Sequence, residues 1–382
     1  IMILFVPLYW LSPDIRWLLL AQAISYCIVP IILYKIAGLY TLEKYKQVLV
    51  AFGLGLAWFL YLPMRSAMDF TFHPSSLVAP LILIAFLFME EKRYLKMWLV
   101  LGVILLFKEN TPFVICGFGL YLSFHRRRFQ QGLFVLILGS FLMVLLMQIV
   151  IPYFEGGDYT KLARVGIFVD PVLKLEYLFK LLFPLLFLPL MAWRRGIIAL
   201  PAIMQNIVAK YEPMYSLNNH YDDLISPLLF ACLPGIIIDI LIPFLKRNNL
   251  NIRLICFAVL FISLTFLSKP SPLKKVWENP KKEFHSQLKD DLVRLENKFP
   301  DKPIYLQHPL FAHVNRKSTY DLNSCKINSF PNESIIAISP DKSLRHWPIK
   351  DLDQCLDMLQ EGKETKQIPG FQNLLVFKIN RH

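Results

Sequence analysis

The chain has 382 residues, 55% of them hydrophobic and 14% aromatic, and its mean hydropathy is positive. This composition excludes an ordinary soluble domain and a disordered chain, and it indicates a polytopic membrane protein. The formal net charge is +13, but the basic residues collect in short loops between apolar runs. We therefore interpret the charge as a topology signal and exclude a nucleic-acid partner.

Long apolar runs predict about ten membrane-spanning helices. Their ranges are 15–36, 47–64, 76–89, 95–108, 111–124, 131–152, 176–193, 196–209, 223–245 and 253–268. Four of these runs are short, at about 14 residues, and a helix of that length covers only about 21 Å of the ~30 Å hydrocarbon core. We expect the short helices to be broken or shielded by protein rather than to face lipid along their whole length.

Basic residues predict the orientation of the chain. Clusters follow alternate spans: Lys35, Lys44 and Lys46; Lys92, Arg93 and Lys96; Arg126 to Arg128; Arg194 and Arg195; Lys246, Arg247 and Arg253. All five fall on one side, which the positive-inside rule assigns to the cytoplasm. The opposite loops and everything after Ser268 are then extracytoplasmic, and we expect a multi-pass protein of the inner (plasma) membrane.

A change of composition after Ser268 predicts two domains, a transmembrane domain over 1–268 and a small extracytoplasmic α/β domain over 269–382. In the second domain, apolar residues at helical spacing predict a helix over 284–299, and a further helix is expected over 352–359. Short strands are predicted at 303–307, 334–339 and 373–379. No glycine-rich phosphate loop follows these strands, so a nucleotide site is not expected there.

The first residue is Ile1, and no charged segment precedes a cleavable apolar run. The opening apolar stretch resembles the end of a longer element, so we expect the natural start to lie upstream.

Six cysteines do not form a regular disulfide framework. Cys27, Cys116, Cys232 and Cys256 lie in apolar runs and are expected to be small buried hydrophobic residues. Cys325 and Cys355 are the two that could pair in an oxidising compartment, and the sequence leaves that pairing open. No Cys/His spacing resembles a zinc site, and the sequence requires no cofactor, although a divalent cation stays an open alternative.

Lys108, Glu109 and Asn110 interrupt an otherwise apolar stretch between two short predicted helices. A turn of this kind usually contains Gly, Asn, Ser or Pro rather than two opposite charges. Because the flanking helices are short, we expect the turn to be recessed in a cavity, where its charges need partners. An ion pair that only joins helices is the competing interpretation.

Polar residues of the predicted outer loops form the candidate site. We assign possible catalytic roles to Glu109, Asp69 and His73, because a carboxylate or imidazole can take a proton from an attacking hydroxyl. Residues expected to bind substrate, in part by neutralising a phosphate, are Lys108, Arg164, Asp158, His220 and Tyr221. Hydrated outer loops are polar in any case, and each histidine alone could equally be a capping or packing residue.

Several short motifs resemble those of bacterial and archaeal polytopic membrane proteins of unknown function, which are distantly similar to the GT-C glycosyltransferase superfamily. They are Phe72-His73-Pro74, Lys108-Glu109-Asn110, Leu200-Pro201 with Asn206, His220-Tyr221 ahead of Pro227, and a tail that closes on 374–378. The resemblance implies sugar transfer from a polyprenyl-phosphate donor to an extracytoplasmic glycan or protein acceptor. It also implies a further acidic residue in an earlier loop, and Asn110 stands where the family usually has Asp.

Two other function classes compete with an enzyme. A transporter or a non-catalytic carrier of lipid-linked glycan would also hold a substrate with outer-face charges, although no internal repeat supports one. A membrane anchor for an interaction-type tail would need far fewer spans. Membrane lipids are expected partners in every case.

Overall fold

A computed structural model describes residues 16–70, 72–155, 166, 168–217, 219–248, 282–307, 310, 314, 318–322, 330–340, 352–362 and 364–380. It divides into two compact units, Ile1–Ser271 and Pro272–His382. The predicted span at 253–268 and the residues Asp158, Arg164 and Cys325 lie outside the described residues.

The first unit is helical. Its helices are α1 (Arg16–Gly38), α2 (Lys44–Leu60), α3 (Leu62–Met68), α4 (Val78–Glu90), α5 (Tyr94–Ile104), α6 (Pro112–Phe124), α7 (Phe129–Leu145), α8 (Ile151–Glu155), α9 (Pro171–Leu182), α10 (Leu188–Met191), α11 (Trp193–Gly196), α12 (Leu200–Val208), α13 (Ile225–Ile236) and α14 (Ile242–Arg247). Short π-helical segments, Leu146–Val150 and Ile237–Leu241, join α7 to α8 and α13 to α14.

Three continuous helices in the described part of the chain are long and apolar enough to cross a membrane: Arg16–Gly38, Phe129–Tyr153 and Ile225–Arg247. The pair α2 and α3 makes a fourth if it is one span bent by 58°. The expectation of ten spans is therefore not confirmed, although the fold is mainly helical and strongly apolar as predicted. Three of the short predicted spans are present as shorter apolar helices.

Proline residues explain where the predicted spans break. The 176–193 run ends its first helix at Leu182, and Pro184 and Pro189 then begin separate short turns. Between them Leu186 and Phe187 adopt positive φ angles of 52°, which no continuous right-handed helix contains. Proline cannot donate the backbone hydrogen bond that an uninterrupted helix needs, so this run forms irregular structure instead of one span.

The centre of the unit is built around α4 and α13. All twelve residues of α13 are buried, and most of α4 is buried as well. Trp58 and Tyr61 pack against Phe230 with ring centroids 5.2 and 5.4 Å apart. The protein around α4 supplies the shielding that its short length predicts.

The buried carboxylate of Glu90, at the end of α4, connects several helices at one end of the bundle. We call this end the basic end, because Arg126 and Arg195 lie there. The Glu90 carboxylate accepts hydrogen bonds from Tyr40 Oη at 2.6 Å, Tyr121 Oη at 3.1 Å and Arg126 Nε at 3.1 Å. Arg195 lies over the Tyr40 ring at 5.3 Å and pairs with Asp239. Helix ends that precede or follow the basic clusters of the sequence therefore meet at one end of the bundle.

The second unit contains a five-stranded mixed sheet with helices on both faces. Its elements are α15 (Lys282–Lys298), β1 (Ile304–Leu306), β2 (Thr319–Asp321), β3 (Ile335–Ile338), α16 (Leu352–Glu361), β4 (Thr365–Ile368) and β5 (Leu375–Ile379). The strand order is β2-β1-β3-β5-β4, in which β1 pairs in parallel with β2 and β3, and β5 pairs antiparallel with β3 and β4.

The predicted helices and the three predicted strands of this unit are present as α15, α16, β1, β3 and β5. The edge strands β2 and β4 were not predicted. Strand β4 carries little apolar signal because its residues are exposed or only half-buried, and β2 has only three residues. On one face Leu292 and Leu295 of α15 cover the sheet, and on the other Cys355 and Leu359 of α16 do so.

The described cysteines differ in their surroundings. Cys232 is buried, Cys116 is half-buried and Cys27 is exposed. The prediction that these cysteines are buried is therefore wrong for Cys27. Cys355 is disulfide-bonded, and its partner lies outside the described residues.

Replacing Glu90 by Gln tests the role of the basic-end network. The loss of the negative charge weakens three hydrogen bonds to a side chain that is only 3% exposed, and we expect the free energy of unfolding to fall by about 2 kcal/mol. Equilibrium unfolding in mixed micelles measures it. Glu43→Gln is the matched control, because Glu43 is 64% exposed and pairs with Lys46. An equal decrease in the free energy of unfolding for the two substitutions would contradict the prediction, because the buried network would then stabilise the fold no more than an exposed ion pair does.

Candidate functional site

Two adjacent aspartates are buried at the end of the bundle opposite Glu90. Asp222 and Asp223 lie in the turn that leads into α13, and they are 1% and 2% exposed. Burying an ionised carboxylate is very unfavourable unless hydrogen bonds or opposite charges compensate it. The side chains around the pair therefore define the candidate site.

Asp223 is held by the turn that follows α3. Its Oδ2 lies 2.5 Å from His73 Nε2 and accepts a hydrogen bond from Ser75 Oγ at 2.9 Å. Pro74 begins a short 3₁₀ helix, Pro74–Leu77, and His73 precedes it in an extended conformation. Residues before proline favour that conformation, so the local sequence presents His73 and Ser75 to the same carboxylate.

The neighbouring carboxylate, Asp222, has a different set of partners. Tyr177 Oη donates to Asp222 Oδ1 at 2.6 Å, and Asn206 Nδ2 donates to Tyr177 Oη at 3.0 Å and to Asp222 Oδ1 at 3.4 Å. Helices α9 and α12 supply these two side chains. The second oxygen of Asp222 and Oδ1 of Asp223 have no hydrogen-bond partner among the described residues.

The two environments move the acidities of the pair in opposite directions. Burial raises the pKa of Asp222 to about 7, the hydrogen bond from Tyr177 opposes this rise, and the charge of Asp223 adds to it. Burial also acts to raise the pKa of Asp223, but the charges and contacts of His73, together with His220 and Lys108, outweigh it and lower that pKa. At neutral pH the pair therefore holds one firmly ionised carboxylate beside one that can gain or lose a proton.

A stack of rings connects the buried pair with the half-buried layer above it. His220 lies 4.6 Å from His73, 4.4 Å from Phe70 and 4.7 Å from Tyr221, all measured between ring centroids. His220 and Tyr221 are half-buried, whereas His73 is 7% exposed. A ligand that reaches this end of the bundle would meet His220 and Tyr221 before it meets the His73–Asp223 contact.

Lys108 contributes a cation to the same layer. Its Nζ lies 5.4 Å from the centroid of the Tyr221 ring, within the range of a cation–π contact. The turn that carries it is fixed by hydrogen bonds from the backbone N–H and Oγ1 of Thr111 to the Lys108 carbonyl, at 3.2 and 2.7 Å. The charged interruption between α5 and α6 is therefore an ordered turn beside the ring stack.

The remaining predicted site residues are placed as follows. Glu109 is half-buried in the turn next to Lys108, and Asp69 is exposed at the end of α3. Asp158 and Arg164 lie outside the described residues. The structure therefore brings His73, His220, Tyr221 and Lys108 together around Asp223.

Five residues at the centre of this cluster are not among the site residues predicted from the sequence: Asp222, Asp223, Tyr177, Asn206 and Ser75. The two aspartates follow Tyr221 in a predicted outer loop, where the sequence alone does not distinguish them from solvated acids. Tyr177 looks like an ordinary aromatic residue of an apolar helix. One usable signal is the position of two acids directly before a helix in which Ser226 is the one polar side chain, because acids so close to a buried helix need partners.

Among the described residues no group of three or more His, Cys, Asp or Glu side chains has a geometry that could hold a metal ion. The expectation of a possible divalent cation stays a prediction.

Replacing Asp222 by Asn tests the acidity of this site. A carboxyl whose pKa is raised in the folded state stabilises the fold fully below its unfolded pKa of about 4, and that contribution is lost as the pH rises through about 7. From pH 4 to pH 8, we expect the free energy of unfolding of the wild type to fall by a few kcal/mol relative to that of Asp222→Asn. Unfolding in mixed micelles across this range measures the difference.

The control for this prediction is Glu176→Gln, because Glu176 is on the same helix as Tyr177 but its side chain is 49% exposed. Its unfolding curve should follow that of the wild type with pH. Parallel curves for the wild type and Asp222→Asn would show that Asp222 has the same acidity in the folded and unfolded states.

Comparison with known proteins adds the family. The family model described as "Predicted membrane protein (DUF2079)" matches residues 1–295, which include every residue of the cluster around Asp222 and Asp223. No curated protein matches the chain, and no solved structure matches it. The chain belongs to the DUF2079 family of predicted membrane proteins.

Proposed function

We propose that this membrane protein is a GT-C-like glycosyltransferase that moves a sugar from a polyprenyl-phosphate donor to an extracytoplasmic glycan or protein acceptor. The observation that carries the proposal is the buried Asp222–Asp223 pair, whose pKa values are shifted in opposite directions, beside the layer that contains Lys108 and His220. Transfer from a lipid phosphate needs a group that accepts a proton and groups that neutralise the departing phosphate. The cluster contains both kinds.

In the proposed reaction, an acceptor hydroxyl attacks the anomeric carbon of the sugar. The new bond joins the acceptor oxygen to that carbon, and the carbon–oxygen bond to the phosphate breaks with its electron pair on the phosphate oxygen. Asp222 takes the hydroxyl proton, because its pKa of about 7 suits a base that works near neutral pH. The products are the glycosylated acceptor, with inverted configuration, and polyprenyl phosphate.

The other side chains of the cluster have supporting roles in this proposal. Asp223 stays ionised against His73 and keeps that imidazole oriented, as the carboxylate of a catalytic dyad does. Lys108 and His220, which lie in the more accessible layer, would contact the phosphate. Glu109, Asp69, Arg164 and Asp158 stay further candidates for acceptor or phosphate binding on the same face.

The distribution of charge supports an extracytoplasmic position for this end of the bundle. The basic clusters of the sequence belong to the opposite end, which the positive-inside rule assigns to the cytoplasm. A separate observation concerns the second unit by itself: Cys355 is disulfide-bonded, and disulfides persist in oxidising compartments outside the cytoplasm. We therefore assign the inner (plasma) membrane as the location, with the C-terminal unit outside.

A proton-coupled transporter of a lipid-linked glycan is the second candidate. A carboxyl with a pKa near 7 beside a permanently ionised one can load and release a proton during a transport cycle. A transporter would move the substrate across the membrane without breaking the sugar–phosphate bond, so product analysis separates the two functions.

The test is a transfer assay with the full chain in proteoliposomes that contain a panel of polyprenyl-phosphate sugars. Release of polyprenyl phosphate is measured by mass spectrometry. We expect Asp222→Asn to lower the rate by about 10² to 10⁴, because general-base catalysis contributes that much. Asp239→Asn is the matched control, because Asp239 is a half-exposed aspartate at the basic end, paired with Arg195, and its rate should equal that of the wild type.

Two results would contradict the proposal. One is unchanged release of polyprenyl phosphate by a folded Asp222→Asn variant. The other is movement of an intact labelled donor across the proteoliposome membrane with no release, which would favour the transporter.

A further inference from the structure

A cleft opens between α5, α6 and α7 close to the basic end of the bundle. Its volume is about 390 Å³, and it is lined by Tyr94, Met97, Trp98, Leu122, Gln130, Gln131, Phe134 and Val135. Met97, Leu122 and Val135 are buried and form an apolar floor. Gln130 and Gln131 are exposed polar residues of the first turn of α7, so the cleft is apolar inside and polar where the helix begins.

Arg128 connects two walls of this cleft. Its guanidinium carbon lies 4.7 Å from the centroid of the Tyr94 ring, and its Nη1 donates to Gln131 Oε1 at 3.1 Å. In the described part of the chain no ion pair joins Arg128 to a carboxylate, whereas the neighbouring Arg126 pairs with Glu90 and Arg93 pairs with Glu91. The positive charge beside the cleft is therefore not neutralised by the acids around it.

The outer surface of the same helices is strongly apolar. Leu95 and Leu99 on α5, and Phe134 and Ile137 on α7, are each more than half exposed. In a membrane protein such side chains face lipid. The cleft thus opens beside a lipid-facing surface, with a cation at its polar rim.

We propose that this cleft binds an anionic phospholipid, with part of an acyl chain on the apolar floor and the headgroup phosphate on Arg128. The positive charge of Arg128 favours an anionic phospholipid over a neutral one. Basic pockets between membrane helices on the cytoplasmic side are suited to anionic headgroups, and a zwitterionic lipid would leave the charge of Arg128 less well compensated. The proposal does not depend on the chemistry at Asp222 and Asp223, which belongs to the opposite end of the bundle.

Native mass spectrometry of the delipidated full chain tests the proposal. The probes are phosphatidylglycerol and phosphatidylcholine with identical acyl chains. We expect phosphatidylglycerol to bind more tightly, and Arg128→Gln to weaken its binding roughly fivefold while binding of phosphatidylcholine hardly changes. Lys44→Gln is the control for diffuse charge, because Lys44 is an exposed cation of α2 that contacts Tyr34 rather than the cleft.

A second variant tests the apolar part of the site. Gln130→Trp narrows the mouth from an exposed position that has no contact with Arg128 in the described structure, and it should weaken both phospholipids by a similar factor. Thermal unfolding verifies that the variant is folded. Equal affinity for the two headgroups would overturn the proposal. So would an equal loss in Lys44→Gln and Arg128→Gln, which would indicate diffuse attraction, or unchanged binding in both Arg128→Gln and Gln130→Trp.

Discussion

The buried carboxylate of Asp223 is the constraint on which the organisation of the site depends. An ionised side chain that is 2% exposed in an apolar bundle must be compensated, and residues from separate segments do this. His73 and Ser75 come from the turn after α3, and the charges of His220 and Lys108 act on it from two further loops. The need to satisfy one carboxylate therefore fixes the relative positions of three loops and the beginning of α13.

Asp222 has a different environment from that of Asp223. A latch between helices would need only Asp223 and His73, yet a second carboxylate is buried next to them and its partners are the neutral side chains of Tyr177 and Asn206. Burial disfavours its charge and, together with the charge of Asp223, raises its pKa to about 7, although the hydrogen bonds from Tyr177 and Asn206 oppose this rise. Glu90 at the basic end is the contrasting case, because three donors, one of them Arg126, surround it and produce a stable connection between helix ends.

The sequence predicted which helix termini lie at the same end of the bundle better than it predicted the number of membrane-spanning helices. Alternation of basic loops correctly grouped the helix termini that meet around Glu90, and it placed His73, Lys108 and His220 on the opposite face, where the structure brings them together. The count of ten spans is not confirmed, and in the run at 176–193 the apolar composition does not reveal the breaks near Pro184 and Pro189. The partners Tyr177 and Ser75 were missed because burial and pairing across the bundle are properties of packing, which no local pattern encodes.

The most direct measurement of the central claim is a cryo-electron microscopy structure of the full chain with polyprenyl phosphate bound. We predict density for the phosphate within hydrogen-bond distance of Lys108 or His220, with the polyprenyl chain leaving along the apolar surface of the bundle. A phosphate bound elsewhere, with the Asp222–Asp223 cluster sealed by its own side chains, would contradict the assignment of this cluster as the functional site.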